Sequence, residues 1–249
     1  MEESKQQTLG VLGGLGPLAT AYYLELVVSM TQAATDQEHP KIIIMNVPTI
    51  PDRTAYILGR SQESPLEPMV ALGRQMKDLG VDIIATPCIT AHYFHSQLQE
   101  QIGLPLIHGI QCVAQTLKDA GVHTVGLMAT DGTVQSGIFQ QQVEELGMKL
   151  VLPGEAGQKA VMELIYDQVK AGKQPELELF RTVCRELQDL GAQAVVLGCT
   201  ELSLLKKQYP LGDGVIDALE VLAKESVLAC GKQVKAEYQS LFTPFPGEE

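Results

Sequence analysis

Residues 69–90 read MVALGRQMKDLGVDIIATPCIT, and residues 180–201 read FRTVCRELQDLGAQAVVLGCTE. The two stretches align without a gap at a spacing of 111 positions. Each opens with apolar residues at helical spacing and turns at Asp-Leu-Gly (Asp78-Leu79-Gly80 and Asp189-Leu190-Gly191). Each then runs through a short apolar strand and ends on a cysteine, Cys88 or Cys199. Arg74 falls on Arg185, and the apolar positions coincide. A match in helix–loop–strand register, with a cysteine in it, predicts an internal duplication.

The pattern continues outward from these segments. Apolar runs rich in Val and Ile occur at 8–13, 41–46, 81–86, 104–108, 123–129, 149–152, 193–198 and 214–217. Amphipathic stretches such as 67–79 and 177–190 lie between them. Near-continuous apolar strands read as parallel and covered on both faces, and their alternation with helices predicts an α/β fold. The expected architecture is two similar parallel-sheet α/β domains related by a pseudo-twofold axis. Ligands in open α/β sheets bind beyond the carboxyl ends of the strands, so the active site is expected in the cleft between the domains. The first domain is expected over 1–103 with 213–249, and the second over 104–212. The tail FTPFPGEE is expected to be loose.

Composition narrows the function. The 249 residues carry 18 Lys plus Arg against 30 Asp plus Glu, a formal net charge of −12. That argues against nucleic acid and against anionic lipid as partners, because both require a basic face. No apolar run approaches the roughly 20 residues of a membrane span. The opening MEESKQQ is polar and acidic, unlike a signal or transit peptide. The five cysteines are odd in number and widely spaced, without a Cys-x-x-Cys pair. Reduced thiols in the cytoplasm are therefore expected, with neither a disulfide framework nor structural zinc.

Four motifs carry chemistry. Cys88 and Cys199 each end a strand and precede a helix, where the helix dipole favours a thiolate. A single such cysteine reads as packing; two at duplicated positions read as catalysis. Racemisation at an α-carbon removes a proton from one face and returns one to the other, a task suited to one thiolate and one thiol. Cys112, Cys184 and Cys230 fall inside helix patterns and are read as structural. Gly13-Gly14-Leu15-Gly16-Pro17-Leu18-Ala19 follows the first strand. It satisfies the dinucleotide pattern G-x-G-x-x-A, yet the second strand ends in Met45-Asn46 and lacks the acidic residue that would hold a ribose. Its bare amides, at Gly14 and Leu15, are expected to receive an anion such as a carboxylate. Asp52-Arg53-Thr54 closes a loop beyond the second strand, with Arg53 as a carboxylate fork. Thr130 and Thr133 offer hydroxyls at another helix start, where capping alone also accounts for them. Cys88, His92 and His95 are spaced as zinc ligands might be, but a fourth ligand is missing; no metal is expected, and His92 is read as orienting the site or capping a contact.

The segments GVLGGLGPLAT, NVPTIPDRTAYILG, TPCITAHYF, IYDQVKAG and LGCTELS, in order over essentially the whole chain, together resemble the aspartate racemases of the aspartate/glutamate racemase family. The resemblance implies a cofactor-independent racemase acting on a small acidic amino acid, commonly a homodimer of two-domain chains. It implies Cys88 and Cys199 as the acid–base pair. It implies Arg53 and Lys170 as ligands of the substrate carboxylate, and Thr90 with its neighbours as holders of the α-amino and α-carboxylate groups. Ile89 and Thr200, each directly after a cysteine, complete the expected substrate contacts. Ile89 departs from the family, which has Asn there. Two other readings stay open: a maleate-isomerase-like cysteine enzyme acting on a dicarboxylate, and a non-catalytic relative that binds an acidic ligand.

Overall fold

The structure is a computed structural model and describes residues 6–245. It contains two all-parallel sheets. The first has the order β2-β1-β3, with β1 Leu9–Gly13, β2 Ile42–Asn46 and β3 Ile83–Ala85. The second has the order β5-β4-β6-β7, with β4 Thr124–Met128, β5 Lys149–Val151, β6 Ala194–Leu197 and β7 Val215–Asp217. The helices are α1 Pro17–Met30, α2 Arg53–Ile57, α3 Leu66–Asp78, α4 His95–Ile102, α5 Gly109–Asp119, α6 Asp131–Ser136, α7 Ile138–Glu145, α8 Glu155–Met162, α9 Leu177–Asp189, α10 Thr200–Gln208 and α11 Ala218–Ala229. α8 continues into a π-helical segment, Glu163–Val169, that ends at Lys170.

The strands that lie centrally are almost wholly buried. β1 is buried at all five residues and β6 at all four, as strands covered on both faces must be. β2, at an edge, is only partly buried. Burying one Leu or Val side chain contributes about 1.5–3 kcal/mol, so these inner strands anchor each sheet.

The duplication seen in the sequence recurs in the backbone. After α3 the chain turns through Gly80 (φ +83°), and after α9 through Gly191 (φ +89°). The Val81 amide donates to Met76 O at 3.1 Å, and the Ala192 amide to Leu187 O at 3.0 Å. Asp82 N donates to Thr8 O, and Gln193 N to Thr124 O, both at 2.9 Å. β3 and β6 then enter their sheets beside β1 and β4 respectively.

The expected strand at 104–108 is reduced to one bridge, Leu106 beside Ile84. Pro105 has no N–H, so it offers the ladder only its carbonyl, which accepts from Ile84 N at 2.9 Å. Ile107 N donates back to Ile84 O at 2.9 Å, and α5 begins two residues later. The first sheet therefore has three strands, where the equivalent β7 gives the second sheet a fourth.

The chain divides into two compact units, one running to Gly109 and resuming at Leu219–Ser240, the other comprising Ile110–Ala218 and the residues from Leu241 onward. The crossings lie near 109 and 218, not at 103 and 212. The reason is local pairing: Leu104–Ile107 stay bonded to β3, and Val215–Asp217 pair with β6. α11 belongs with the first unit, where the buried Ser226 Oγ lies 2.5 Å from the hydroxyl of Tyr23 on α1. The described part of the tail is held in place. Gly214 N donates to Thr243 O at 2.7 Å, Phe242 is buried, and Phe245 packs on the second core. Residues 246–249 of that expected loose tail lie outside the described residues, as do the first five of the opening segment. Among the described residues, no helix is long and apolar enough to cross a membrane.

Candidate active site

Each unit carries one cysteine at the same place in its fold. Cys88 follows β3 and is the N-cap of a 3-10 helix, Ile89–Phe94, with an extended backbone (φ −155°, ψ 107°). Cys199 follows β6 and is the N-cap of α10, also extended (φ −141°, ψ 135°). Both are 6% exposed and belong to the apolar core of their unit. Their carbonyls accept equivalent helical bonds, from Ala91 N at 3.1 Å and from Leu202 N at 2.9 Å. The remaining three cysteines are free thiols, and the Cys184 and Cys230 thiols are pushed up by burial to about 12 and about 11. Thiols raised in this way, those of Cys184 and Cys230, stay protonated near neutral pH.

In the first unit, the Gly13–Ala19 turn is more occupied than the sequence suggests. Gly14 has φ +95°, and a Cβ there would run into the backbone of Val47, so only glycine fits. Its amide is not bare: it donates to Thr20 Oγ1 at 2.9 Å, and that hydroxyl donates to Gly16 O at 2.9 Å. An anion at this turn cannot use the Gly14 amide without displacing Thr20. Arg53, buried at the start of α2, is likewise engaged. Its guanidinium donates to Leu15 O and Pro51 O, each at 2.9 Å, and to Ile50 O at 3.4 Å. The structure thus joins Gly14, Leu15 and Arg53 into one braced loop pair. Asp52 is exposed and caps α2, accepting from Ala55 N at 2.7 Å, while Thr54 is buried. Beyond Cys88, Ile89 and Thr90 are buried at 2% and 6% exposure. The helix expected after Cys88 begins as a 3-10 turn and becomes α-helical only at His95.

The second unit holds a charged constellation around its cysteine. The Cys199 thiol donates to Glu201 Oε2 at 2.9 Å, and Thr200 Oγ1 donates to the same oxygen at 3.4 Å. The other carboxylate oxygen lies 3.9 Å from Lys170 Nζ. That ammonium, partly exposed, also sits 4.1 Å from the centroid of the Tyr166 ring. The π-helical segment before Lys170 packs against α10 and delivers both side chains; such segments are frequent at functional sites. Burial pushes the Cys199 thiol well above its ordinary range, the Glu201 charge adds to the rise, and Lys170 opposes it. Cys199 is therefore held as a thiol hydrogen-bonded to a carboxylate. Thr130 and Thr133, both buried, sit 3.2 Å apart at the start of α6, with Thr130 capping the Thr133 amide at 3.3 Å.

Glu201 was not singled out in the sequence. A carboxylate in the first turn of a helix reads as a complement to the helix dipole, and that reading hides its contact with a neighbouring thiol. Metal binding finds no support in the geometry. Both ring nitrogens of His92 are engaged, and among the described residues no group of three or more His, Cys, Asp or Glu side chains is arranged to hold an ion.

The family model described as Asp/Glu/Hydantoin racemase matches residues 12–226, and the chain belongs to that family. It is an enzyme, an isomerase of the pyridoxal-phosphate-independent amino-acid racemase class. The structure is similar to the aspartate racemase of Picrophilus torridus, with a TM-score of 0.79 and 29% identity over 95% of this chain and 100% of that one. The broad specificity amino-acid racemase RacX of Bacillus subtilis (strain 168) is 26% identical over 229 residues, 88% of this chain and 96% of that protein. The glutamate racemase of Aquifex pyrophilus is 31% identical over 172 residues, covering 66% of this chain and 65% of that one.

Proposed function

We infer that the protein interconverts the enantiomers of an acidic amino acid, aspartate foremost, by proton transfer between its α-carbon and two cysteines. The observation that supports this most is the equivalence of Cys88 and Cys199: same strand end, same N-cap role, same burial, same helical bond to the carbonyl. In one direction the Cys88 thiolate takes the α-proton and becomes a thiol. The resulting carbanion takes a proton from the Cys199 thiol on its other face, leaving a thiolate there. The reverse direction exchanges the roles, and Glu201 beside Cys199 is the group that accepts or returns that thiol's proton between turnovers. Lys170 supplies a cation for the side-chain carboxylate. Arg53 joins it by exchanging a backbone carbonyl for the carboxylate, a bond between two opposite charges being stronger than one between a cation and a neutral carbonyl. The α-proton is a very weak acid, so fixed donors at the helix starts after each cysteine stabilise the developing charge.

The test is proton exchange in deuterated water without added cofactor, following the α-proton of L-aspartate, L-glutamate and L-alanine by NMR. Aspartate is expected to lose its signal and gain the D-form. Cys88→Ala and Cys199→Ala are each expected to abolish racemisation in both directions, a loss of at least ~10²–10⁴-fold for a missing general base. Near-wild-type turnover by either variant overturns the two-base reading. Equal turnover of alanine overturns the acidic preference and leaves a broad-specificity racemase.

A further inference from the structure

Beneath Cys88 lies a cluster of three imidazoles. The His95 and His108 ring centroids are 4.2 Å apart, and those of His92 and His108 are 5.7 Å apart. His92, 6% exposed, is the innermost contact to the cysteine. Its Nε2 accepts from the backbone amide of Gly109 at 3.0 Å, which fixes the tautomer: the proton is on Nδ1, and that nitrogen donates to the carbonyl of Cys88 at 3.0 Å. Gly109 is the residue at which the chain leaves the first unit. A Cβ on it would stand 3.0 Å from His92 Nε2, so any larger residue would push the imidazole back by a few tenths of an ångström.

The second unit repeats the arrangement with different chemistry. Ser203, four residues after Cys199 as His92 is after Cys88, is wholly buried and donates from Oγ to Asp217 Oδ1 at 2.6 Å. Asp217 lies one residue before Ala218, where the chain leaves the second unit. Each cysteine-bearing turn is thus tied, at its fourth residue, to the crossing segment of its own unit. Duplication of the tie in unlike residues argues that the linkage itself is what matters.

We propose that His92 is a positioning residue for Cys88: a neutral imidazole that holds the carbonyl of the cysteine from one side and the Gly109 crossing from the other, with Ser203–Asp217 as its counterpart for Cys199. This rests on the racemase reading above. Burial, and then the neighbouring His108, lower the His92 pKa to about 3, so the two bonds do not switch over the working range of pH. The imidazole touches no reacting atom. It acts by fixing the direction in which the sulfur leaves the backbone.

Two isosteric changes separate the two bonds. An Asn amide overlays Nδ1 and a Gln amide overlays Nε2. His92→Asn keeps the donor to Cys88 and releases Gly109; His92→Gln keeps Gly109 and releases Cys88. Amide hydrogen exchange is expected to speed up at Gly109 in H92N and to stay slow in H92Q. Turnover of aspartate is expected to fall about tenfold or more in H92Q, with KM within about twofold, and to stay within about threefold in H92N. In H92Q the deuterium isotope effects on α-deuterated L- and D-aspartate are expected to move apart in the same sense as in Cys88→Ser, and opposite to Cys199→Ser. Equal losses in both variants, with both isotope effects moving together, overturn the proposal and leave His92 a packing residue. Unchanged turnover in H92Q overturns it as well. If the wild-type chain turns over no acidic amino acid, the racemase reading fails, and the tie is judged by the Gly109 exchange pattern alone.

Discussion

Glu201 shows how much one side chain changes the meaning of a motif. In sequence, Cys199 sits at the start of a helix, where the dipole should lower its pKa. In the structure, burial and the carboxylate two residues on raise it instead. The cysteine is held as a thiol, and in the proposed reaction the carboxylate is the group that takes its proton. Glu201→Gln removes the acceptor charge and keeps the shape. Racemisation is expected to slow by roughly 10- to 100-fold, less than the ~10²–10⁴-fold of a general base that acts on the substrate itself, and the alkaline limb of the kcat–pH profile to move down in pH as the nearby negative charge disappears. Steady-state rates from pH 6 to 10 decide it; a profile that does not move denies Glu201 any part in the Cys199 proton. Both cysteines were legible because duplication put them at matching positions. Arg53 was legible as a charge, but not as a brace between loops, because the carbonyl that ties it to the first turn, Leu15 O, lies 38 residues away in sequence.

The same limit operates on elements. Seven of the eight expected strands form, since an apolar run between turns needs no knowledge of its neighbours. The eighth fails at Pro105, a residue visible from the start, whose effect depends on which side of the strand faces a partner. The turn after β1 was legible as a strand-to-helix junction, and its free amides were not, because Thr20 reaches back from inside α1 to close on Gly14. That closure gives a stability prediction. Thr20→Val keeps the volume, leaves the buried Gly14 amide without its acceptor, and is expected to cost about 1–3 kcal/mol. Urea unfolding at pH 7.5 measures it, and a change below about 0.5 kcal/mol would remove Thr20 from the account of this turn.

Across the molecule, buried thiols and a buried phenol set the response to alkali. Burial pushes Cys184 to about 12 and Cys230 to about 11, and it raises Cys199 and Tyr23 as well. The unfolded chain loses these cysteine protons near an ordinary thiol pKa of ~8.5, whereas the folded chain keeps them. Folding stability from these groups is therefore complete below that value and falls as pH rises through 11 and 12, where the folded thiols ionise. Denaturant midpoints are expected to be level from pH 7 to 8 and to decline steadily from pH 9 to 11. A midpoint that holds to pH 11 would mean the thiols are reached by water. Of the two-unit layout, the duplication was readable, but the crossings were displaced by six residues, because short pairings at 104–107 and 215–217 decide which sheet each segment joins.

The interleaving of the units bears on synthesis. On the ribosome, the first 109 residues emerge before any of the second unit, yet they lack α11 and the residues that follow it. Until those arrive, the Tyr23 hydroxyl has no Ser226, and Met30 O and Gln32 N have neither Lys235 N nor Gln233 O. The second unit is delayed in its turn, because Thr243 O meets Gly214 N only when the last few residues are made. At ~5–20 residues per second, the first unit waits on the order of ten seconds for its closing helix. Each sheet has all its strands before its unit is closed, so a nascent chain released before residue 219 holds a finished first sheet without the α11 segment that completes that unit.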